Sequence, residues 1–390
     1  MLSLKLAYRN LIGAGLRTWL NVGVLSLIYV LIIWHQGFFL GMLEQVSRDA
    51  VKYEYAGGQY WNEKYDPYDL ISLDESHALI PSGLSEMMRC NDTAPILITT
   101  AAIFPHGRMQ MILLKGIDPG QTVLAIPSSR LNVKRDILPV LVGKRMAKKN
   151  SFLMGDSVTI RWRDSHGTFD AVQGEIVEIM ETNVPTIDNG QIWIPLDSLR
   201  KMMRLEGEAT IITVGRSVKN PPSLSGWIFR SDDYLLRDIR DLVATKSISA
   251  SVLHALLLFL AVIAVFDTQV LSIFKRRKEI GTLMALGLTR MKVISIFTLE
   301  GLMNGILALA VGAVYGIPLL VFTARKGIPL PQNTENYGFA IPERLFPSYP
   351  IGLVVSTVLI VMLTVTVVSY LPTKEISKMK PTEALKGKSI

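Results

Sequence analysis

Residues 248–290 read ISASVLHALLLFLAVIAVFDTQVLSIFKRRKEIGTLMALGLTR, and this stretch decides the fold. Its first part, 248–274, contains one acidic residue, Asp267, and no Lys or Arg. An apolar run of that length exceeds the ~20 residues that a helix needs to cross a hydrocarbon core about 30 Å thick. The basic cluster 275–278 follows at once, as is typical of the cytoplasmic end of a span. The stretch therefore predicts a membrane-spanning helix followed by a short cytoplasmic segment.

Three other stretches have the same apolar character, in a chain whose side chains are 49% hydrophobic. With the first stretch, the four windows are Trp19–Leu43, Ile248–Phe274, Val293–Phe322 and Ile351–Leu371. Four transmembrane helices are expected. The window at Trp19 follows basic residues and is too long for the apolar region of a signal peptide, so we interpret it as an uncleaved signal anchor.

Basic residues set the expected orientation, because Lys and Arg next to a span stay in the cytoplasm. Segments 1–18, 275–292 and 373–390 together hold 14 Lys and Arg against three acidic residues, whereas 44–246 holds 24 against 26. Both termini are therefore predicted to be cytoplasmic, with 44–246 and 324–349 outside. The formal net charge of +8 is explained by topology and does not indicate a nucleic-acid partner.

The windows and the charges divide the chain into a series of segments. They are the N-terminal segment with the first span (1–43), an extracytoplasmic α/β domain with a stalk helix at each end (44–246), the second span (247–274), a cytoplasmic coupling segment (275–292), the third span (293–323), a short external loop (324–349), the fourth span (350–371) and a cytoplasmic tail (372–390).

The external segment alternates between strand and helix patterns. Cys90 is the only cysteine, so an ordinary apolar core must hold this domain together without an internal disulfide. Residues 57–94 show no clear pattern. The predicted strands are Pro95–Phe104, Met109–Ile117, Ser157–Arg163, Gly174–Glu181, Gln191–Ile194 and Thr210–Val214, and the predicted helices are Val142–Lys149 and Leu196–Leu205.

Two helical stalks are predicted to join this domain to the first two spans. No Gly or Pro occurs in the 54 residues from Trp227 to Ile280, and Ser231 or Asp232 can cap a helix start. One helix of roughly 45 residues is expected, about 68 Å long at 1.5 Å per residue. An apolar stripe likewise continues the first span through Val51, as far as Gly57-Gly58.

Other patterns in the spans leave more than one interpretation open. Asp267 and Glu300 are ionisable residues inside spans and are either parts of the coupling region or merely local polar contacts. Gly301, Gly305, Gly312 and Gly316 lie on one face of the third span, where they indicate close helix packing or only the general frequency of Gly in membrane helices.

Catalytic and metal-binding patterns are not found. The five histidines form no HExxH motif, CxxC is absent, and no Gly-x-Ser-x-Gly nucleophile motif occurs. The tail Gly387-Lys388-Ser389 lacks the first Gly of a phosphate-binding Walker A loop. We expect a non-catalytic subunit without a metal or cofactor of its own.

The basic cluster and the residues after it carry a family resemblance. Glu279-Ile280-Gly281, then Ala285-Leu286-Gly287 and Arg290, resemble the signature of FtsX/MacB/LolC-type permeases, as do Glu300-Gly301 and the tail motif Pro381-x-Glu383-Ala384-Leu385. In the external domain, 115–119 and 142–158 resemble the MacB-like periplasmic core, and 182–199 is most similar to the lipoprotein-releasing LolC/LolE branch. The resemblance implies a type VII ABC permease that works by mechanotransmission in the bacterial inner membrane.

The resemblance also implies partners and site residues. A separate ABC ATPase, in two copies, would bind ATP and Mg and dock on the coupling segment, and a second permease protomer, identical or paralogous, would complete a dimer. The alternative interpretation of the basic turn is a positive-inside anchor alone. The predicted ATPase-coupling residues are Arg276, Arg277, Lys278, Glu279, Ile280, Gly281, Leu283, Met284, Ala285, Leu286, Gly287 and Arg290.

The expected cargo is a lipoprotein or another amphiphile, passed on to a periplasmic carrier. The predicted cargo surface on the first two spans is Trp34, Phe38, Phe39, Met42, Leu256, Phe259 and Val262. Two alternatives stay open: a macrolide or peptide efflux permease with an adaptor, and an FtsX-like regulator of a cell-wall hydrolase.

Overall fold

The computed structural model describes residues 15–133, 137–182, 184–330 and 344–376, without the side chains of 15–18, 185–186, 246, 249–250, 277, 283 and 375–376. The described residues fall into two compact units. The helical unit contains the chain up to Met42, Val243–Ile328 and the chain from Arg344 onward, and the α/β unit contains Leu43–Leu242. The predicted tail motif at 381–385 and half of the loop 324–349 lie outside the described residues.

The α-helices, in chain order, are α1 Gly15–Ala50, α2 Ser85–Arg89, α3 Lys144–Asn150, α4 Pro185–Gly190, α5 Leu196–Met203, α6 Asp232–Leu235, α7 Arg237–Lys275, α8 Arg277–Ala285, α9 Arg290–Lys326 and α10 Ile351–Ile376. The strands are β1 Gly58–Asn62, β2 Ala78–Leu79, β3 Thr93–Ile103, β4 Gln110–Ile117, β5 Leu138–Gly143, β6 Ser157–Arg163, β7 Phe169–Met180, β8 Gln191–Pro195, β9 Glu208–Ala209, β10 Ile211–Val214, β11 Trp227–Ser231, β12 Ile328–Pro329 and β13 Arg344–Leu345. A π-helical turn, Val51–Tyr55, extends α1.

Four helices of the described chain are long and apolar enough to cross a membrane, and they overlap the four windows expected from the sequence. They are Trp19–Tyr55, Ser251–Lys275, Arg290–Lys326 and Ile351–Lys374. Their shared core centres on Leu25, Ile28 and Tyr29 of α1, which pack with Val265 of α7 and Val365 of α10.

The glycines of α9 mark where other helices approach it most closely. A Cβ at Gly301 would lie 2.0 Å from Ser369 Oγ of α10, and one at Gly316 would lie 2.6 Å from a methyl group of Val30 on α1. All four glycines of the predicted face are buried. Close packing is therefore the reason for these glycines, and the more general interpretation is no longer needed.

The α/β unit is built on a mixed nine-stranded sheet with the order β11-β1-β10-β3-β4-β8-β5-β7-β6. An additional pairing between β3 and β6 closes part of the sheet into a six-stranded barrel, with the strands in the order β3, β4, β8, β5, β7 and β6. The pairs β4–β8 and β5–β7 are parallel and the other pairs are antiparallel. One core lies on the side of the sheet that α5 covers, with Leu199 and Ile194 at its centre, and a second lies around Trp193 on the opposite side.

The predicted β3–β4 hairpin and the strands at Ser157 and Gln191 are confirmed, but two expectations need correction. The long stalk helix has 39 residues and not the expected 45. It begins only after Leu236, where a separate short helix ends, and it ends at Lys275, before the non-helical residue Arg276. Val142 belongs to strand β5, and helix α3 begins only at Lys144. The unassigned stretch 57–94 contains β1, which pairs with β10 and β11, and several short helical turns.

Helix α7 extends from Arg237 to Lys275 without a break. At 1.5 Å per residue it is about 58 Å long, nearly twice the ~30 Å of a hydrocarbon core. Its residues up to Leu242 belong to the α/β unit and those from Val243 belong to the helical unit. Ser231 caps the preceding helix α6 by accepting a hydrogen bond from the Tyr234 backbone N–H, as one of the two predicted caps.

Candidate functional site

The predicted coupling segment folds as a short helical hairpin between α7 and α9. Its helix α8 starts after a non-helical residue, Arg276, and ends before Gly287, whose φ is +95°. An L-residue at this φ is strained, which explains the need for Gly at the turn. Thr289 is extended and immediately precedes α9. We call residues 276–291 the coupling hairpin.

Arg276 ties the base of the coupling hairpin to α9. Its Nε donates to Glu279 Oε2 at 2.9 Å, and its Nη1 donates to Glu300 Oε2 at 3.2 Å. The Glu300 side chain is 8% exposed and the Arg276 side chain 25%. The guanidinium also lies 5.5 Å from the centroid of the Phe297 ring. Arg276 and Glu300 thus hold the hairpin against its own spans.

One apolar face of the coupling hairpin packs against the chain itself. Ile280 is 4% exposed and forms a small core with Ile273, Val293 and Phe297. Met284 and Leu288 cover the edge of this core. Ile280 is therefore an internal anchor of the hairpin, although it carries part of the family resemblance.

The opposite face of the coupling hairpin is exposed and forms what we call the tip: Ala285, Leu286, Gly287, Arg290 and Met291. Leu286 is 78% exposed and Met291 73%. Two large apolar side chains beside a cation, on a segment flanked by membrane spans, form a surface that a protein partner can cover.

Met291 lies inside the predicted coupling segment 275–292 but is not among the predicted coupling residues, because the motif that carries the family resemblance ends at Arg290. Of the other predicted coupling residues, Lys278 and Glu279 are exposed and Gly281 is buried. The side chains of Arg277 and Leu283 lie outside the described residues, and their role stays a prediction.

The residues predicted as a cargo surface differ in exposure. Leu256 and Phe259 of α7 are 60% and 61% exposed and face away from the helical core. Trp34, Phe38 and Phe39 of α1 are half-buried. Met42 is 3% exposed, and Val262 packs against the four-helix core, so neither contributes much to an open surface.

A histidine pair joins α1 and α7 beside these aromatic residues. His35 Nδ1 lies 2.9 Å from His254 Nε2, and the His35 ring contacts Phe39 edge-on at 5.2 Å between centroids. Nearer the coupling hairpin, Asn21 of α1 hydrogen-bonds to Thr268 of α7. The first two spans are therefore fastened to each other by polar contacts at two levels.

A second buried ion pair lies in the α/β unit, in the predicted 115–119 motif. Lys115 of β4 is 4% exposed; its Nζ lies 3.7 Å from Glu54 Oε1 in the π-helical turn after α1 and 5.1 Å from the centroid of the Trp193 ring. Burial lowers the pKa of Lys115, and the Glu54 carboxylate opposes that shift. The backbone of the same turn also accepts from Gln59 and from the Ala125 N–H. The end of the α1 helix is thus anchored to the sheet.

Comparison with known proteins finds a matching permease family and similar transmembrane proteins. Residues 251–381 match the FtsX-like permease C-terminal family. Two relatives are named lipoprotein-releasing system transmembrane protein LolC, both from Xylella fastidiosa. The protein of strain Temecula1 is 24% identical over 57% of this chain and 59% of its own length, and that of strain 9a5c is 22% identical over 74% of this chain and 76% of its own length.

A solved structure, the extracellular domain of the noncanonic ABC-type transporter YknZ from Gram-positive bacteria, covers 42% of this chain and 84% of its own length, at 12% identity and a TM-score of 0.27. Among the described residues, no group of three or more His, Cys, Asp or Glu could hold a metal ion.

Proposed function

We propose that this chain is the permease subunit of an ATP-driven ABC exporter that works by mechanotransmission. A separate ATPase, in two copies with bound ATP and Mg, docks on the tip of the coupling hairpin, and a second permease protomer completes the complex. The chain lies in the bacterial inner membrane with both termini cytoplasmic and the α/β unit in the periplasm. The FtsX-like domain and the apolar windows support this assignment.

The observation that carries the proposal is the coupling hairpin with its exposed tip. The hairpin is bound to α9 by the Arg276–Glu300 pair and by the core around Ile280, so a push on the tip reaches the spans and is not absorbed in a loose loop. From the hairpin, α7 continues unbroken to Arg237. A helix with a complete hydrogen-bond ladder transmits displacement, whereas a Pro or Gly kink would absorb it.

The proposed cargo is a lipoprotein or a similar amphiphile, extracted from the membrane and passed to a periplasmic carrier. The names of the two LolC relatives support this choice. The exposed Leu256 and Phe259 offer the apolar surface that acyl chains require. Purifying the complex with its ATPase and identifying by mass spectrometry what ATP releases tests the cargo. Release of a drug or peptide in place of acylated protein would contradict it.

The docking surface is tested by a charge placed on the tip. Leu286→Glu should abolish co-purification of the ATPase, because a carboxylate would have to be desolvated in the apolar contact. Leu153→Glu is the matched control: Leu153 is 68% exposed on the α/β unit, and that variant should retain the ATPase. Equal recovery of the ATPase with wild type and Leu286→Glu would show that the tip is not the docking site.

A further inference from the structure

We propose that a cavity between α1, α9 and α10 holds one acyl chain of an anionic glycerophospholipid, with Arg325 at its mouth binding the phosphate. This site goes beyond the proposed export function, because it neither uses the predicted cargo surface nor requires an ATPase. A lipid held here is a resident component of the helical unit.

The cavity is large and apolar. It has a volume of about 530 Å³ and is lined by side chains such as Val30, Ile33, Leu309, Ala313, Leu320 and Val354. Protein interiors leave few voids larger than a water molecule, so a space of this size calls for an occupant. Ligand sites usually measure roughly 300–1,000 Å³. Two lining residues, Ile317 and Val321, are 58% and 43% exposed, so the wall of the cavity reaches the outside of the helical unit.

The lining also carries polar groups that hydrocarbon alone would leave unmatched. Tyr29 is 1% exposed and lines the cavity, and its hydroxyl has no hydrogen-bond partner among the described residues. A buried unsatisfied hydroxyl is costly, and of the parts of the proposed lipid that enter the cavity only an ester carbonyl oxygen can accept a hydrogen bond from it. Tyr349 also lines the cavity, and its hydroxyl is already paired with Thr323 Oγ1 at 3.2 Å.

The mouth of the cavity is positively charged. Arg325 lines it and is exposed, and no ion pair joins it to any described residue. Within 322–330 and 344–350, all of which the structure describes, Lys326 and Arg344 are further cations and no acidic residue occurs. Arg binds phosphate oxygens well through its planar fork of donors. The charge therefore selects an anionic headgroup.

The dimensions of the cavity favour a lipid over a protein segment. Its wall on α9 runs from Leu309 to Arg325, about 24 Å at 1.5 Å per residue. One leaflet contributes about 15 Å of hydrocarbon, so an acyl chain and its headgroup fit this length. A helix from a second copy of the chain is about 10 Å wide, and a 15 Å piece of it would occupy about 1,200 Å³, more than the cavity offers.

Photo-crosslinking of the purified full-length chain in nanodiscs tests the proposal. The discs contain phosphatidylcholine with a trace of a lipid that carries a diazirine in its acyl chain, either phosphatidylglycerol or phosphatidylcholine. After irradiation, mass spectrometry locates the adducts. The phosphatidylglycerol probe should label peptides within 309–325 about tenfold more than the phosphatidylcholine probe, because both lipids offer a phosphate but the choline cation of the latter is repelled by Arg325, Lys326 and Arg344.

Matched variants separate the two parts of the site. Ala313→Phe fills the cavity and should remove most of the labelling, whereas Ala310→Phe, at an exposed position one turn away on the same helix, should not change it. Arg325→Gln should abolish the preference for phosphatidylglycerol, and Lys326→Gln, whose ammonium lies over the Phe322 ring, should keep it. Circular dichroism checks that each variant is folded.

Labelling of Ala313→Phe at the wild-type level, or adducts only outside the cavity peptides, would overturn the site. Equal labelling by the two probes in the wild type would overturn the role of Arg325. Crosslinks between two copies of the chain, formed by a photo-reactive amino acid placed at position 313 in a separate variant, would show that a protein segment and not a lipid fills the cavity. None of these outcomes depends on ATPase docking, so a failure here leaves the export proposal standing.

Discussion

Replacing Arg276 by Met is expected to loosen the coupling hairpin from the spans. Removing one partner of a buried ion pair typically costs about 3–5 kcal/mol, because the remaining charge stays in a medium of low polarity. Glu300 is almost fully buried, but the Arg276 side chain is 25% exposed, so water screens part of the interaction. We therefore expect the free energy of unfolding to fall by about 2–3 kcal/mol in Arg276→Met.

A double-mutant cycle isolates the pair. Glu300→Leu alone should also lower the free energy of unfolding. The double variant, Arg276→Met with Glu300→Leu, should lose about 1–2 kcal/mol less than the sum of the two single losses, because no buried charge remains in it. Glu279→Gln is the control, because it removes the second carboxylate that pairs with Arg276. The Glu279 side chain is 64% exposed. That exposed pair should contribute about 0.5 kcal/mol or less.

Reversible unfolding in mixed micelles with increasing sodium dodecyl sulfate, followed by far-ultraviolet circular dichroism, measures these differences. ATPase stimulation by the same variants shows whether the looser hairpin also transmits less. Additivity of the two single changes within about 0.5 kcal/mol would refute the argument, since independent sites behave in that way. A loss of unfolding free energy in Glu279→Gln as large as that in Arg276→Met would refute it as well.

Four further outcomes are expected. Cys90 is exposed on the α/β unit, so a membrane-impermeant maleimide should label it in spheroplasts with an intact inner membrane. Labelling only after lysis would contradict the proposed orientation. Gly301→Ala should lower the unfolding free energy by about 1–3 kcal/mol through overpacking against Ser369, and Gly352→Ala, where a Cβ meets nothing within 4 Å, should be nearly neutral in the same assay. Burial raises the pKa of Tyr60 to about 12. The stabilisation that this neutral side chain provides is therefore complete below pH ~10 and is lost as the pH rises from there to about 12. In an alkaline titration, the free energy of unfolding of a Tyr60→Phe variant should fall less steeply than that of the wild type. Ala244→Pro should break the ladder of α7 and preserve ATP hydrolysis while abolishing export, and normal export would count against transmission through α7.

The spans and much of the sheet could be predicted because their signals are local. The apolar windows have the length that a membrane requires, and the alternation of Ser157–Arg163 places its side chains on two faces of one strand. Strand β11 was missed because it lies inside the Gly- and Pro-free run and becomes a strand by pairing with β1, which lies far away in the sequence. Pairing between distant segments leaves no local periodicity to read.

The candidate site shows the same limit. The motif at 279–290 located the coupling hairpin, but it did not reveal which face is open. Ile280 points inward because Val293 and Phe297, on the far side of the turn, provide its packing partners. The cavity beside Gly312 and Gly316 also could not be predicted, since it depends on the spacing of three helices and not on any one of them.

The two buried ion pairs have a common physical meaning. Arg276–Glu300 fixes the coupling hairpin to α9, and Lys115–Glu54 fixes the end of the α1 helix to strand β4. A well-packed apolar substitute for a buried ion pair is often as stable or more stable, so stability alone does not account for such pairs. A charged pair does require one particular geometry, because a small slip leaves a buried charge unmatched, whereas apolar side chains tolerate sliding. In a protein proposed to work by moving helices, sliding at these two positions would reduce the movement that one element passes to the next. We infer that both ion pairs serve to prevent this sliding.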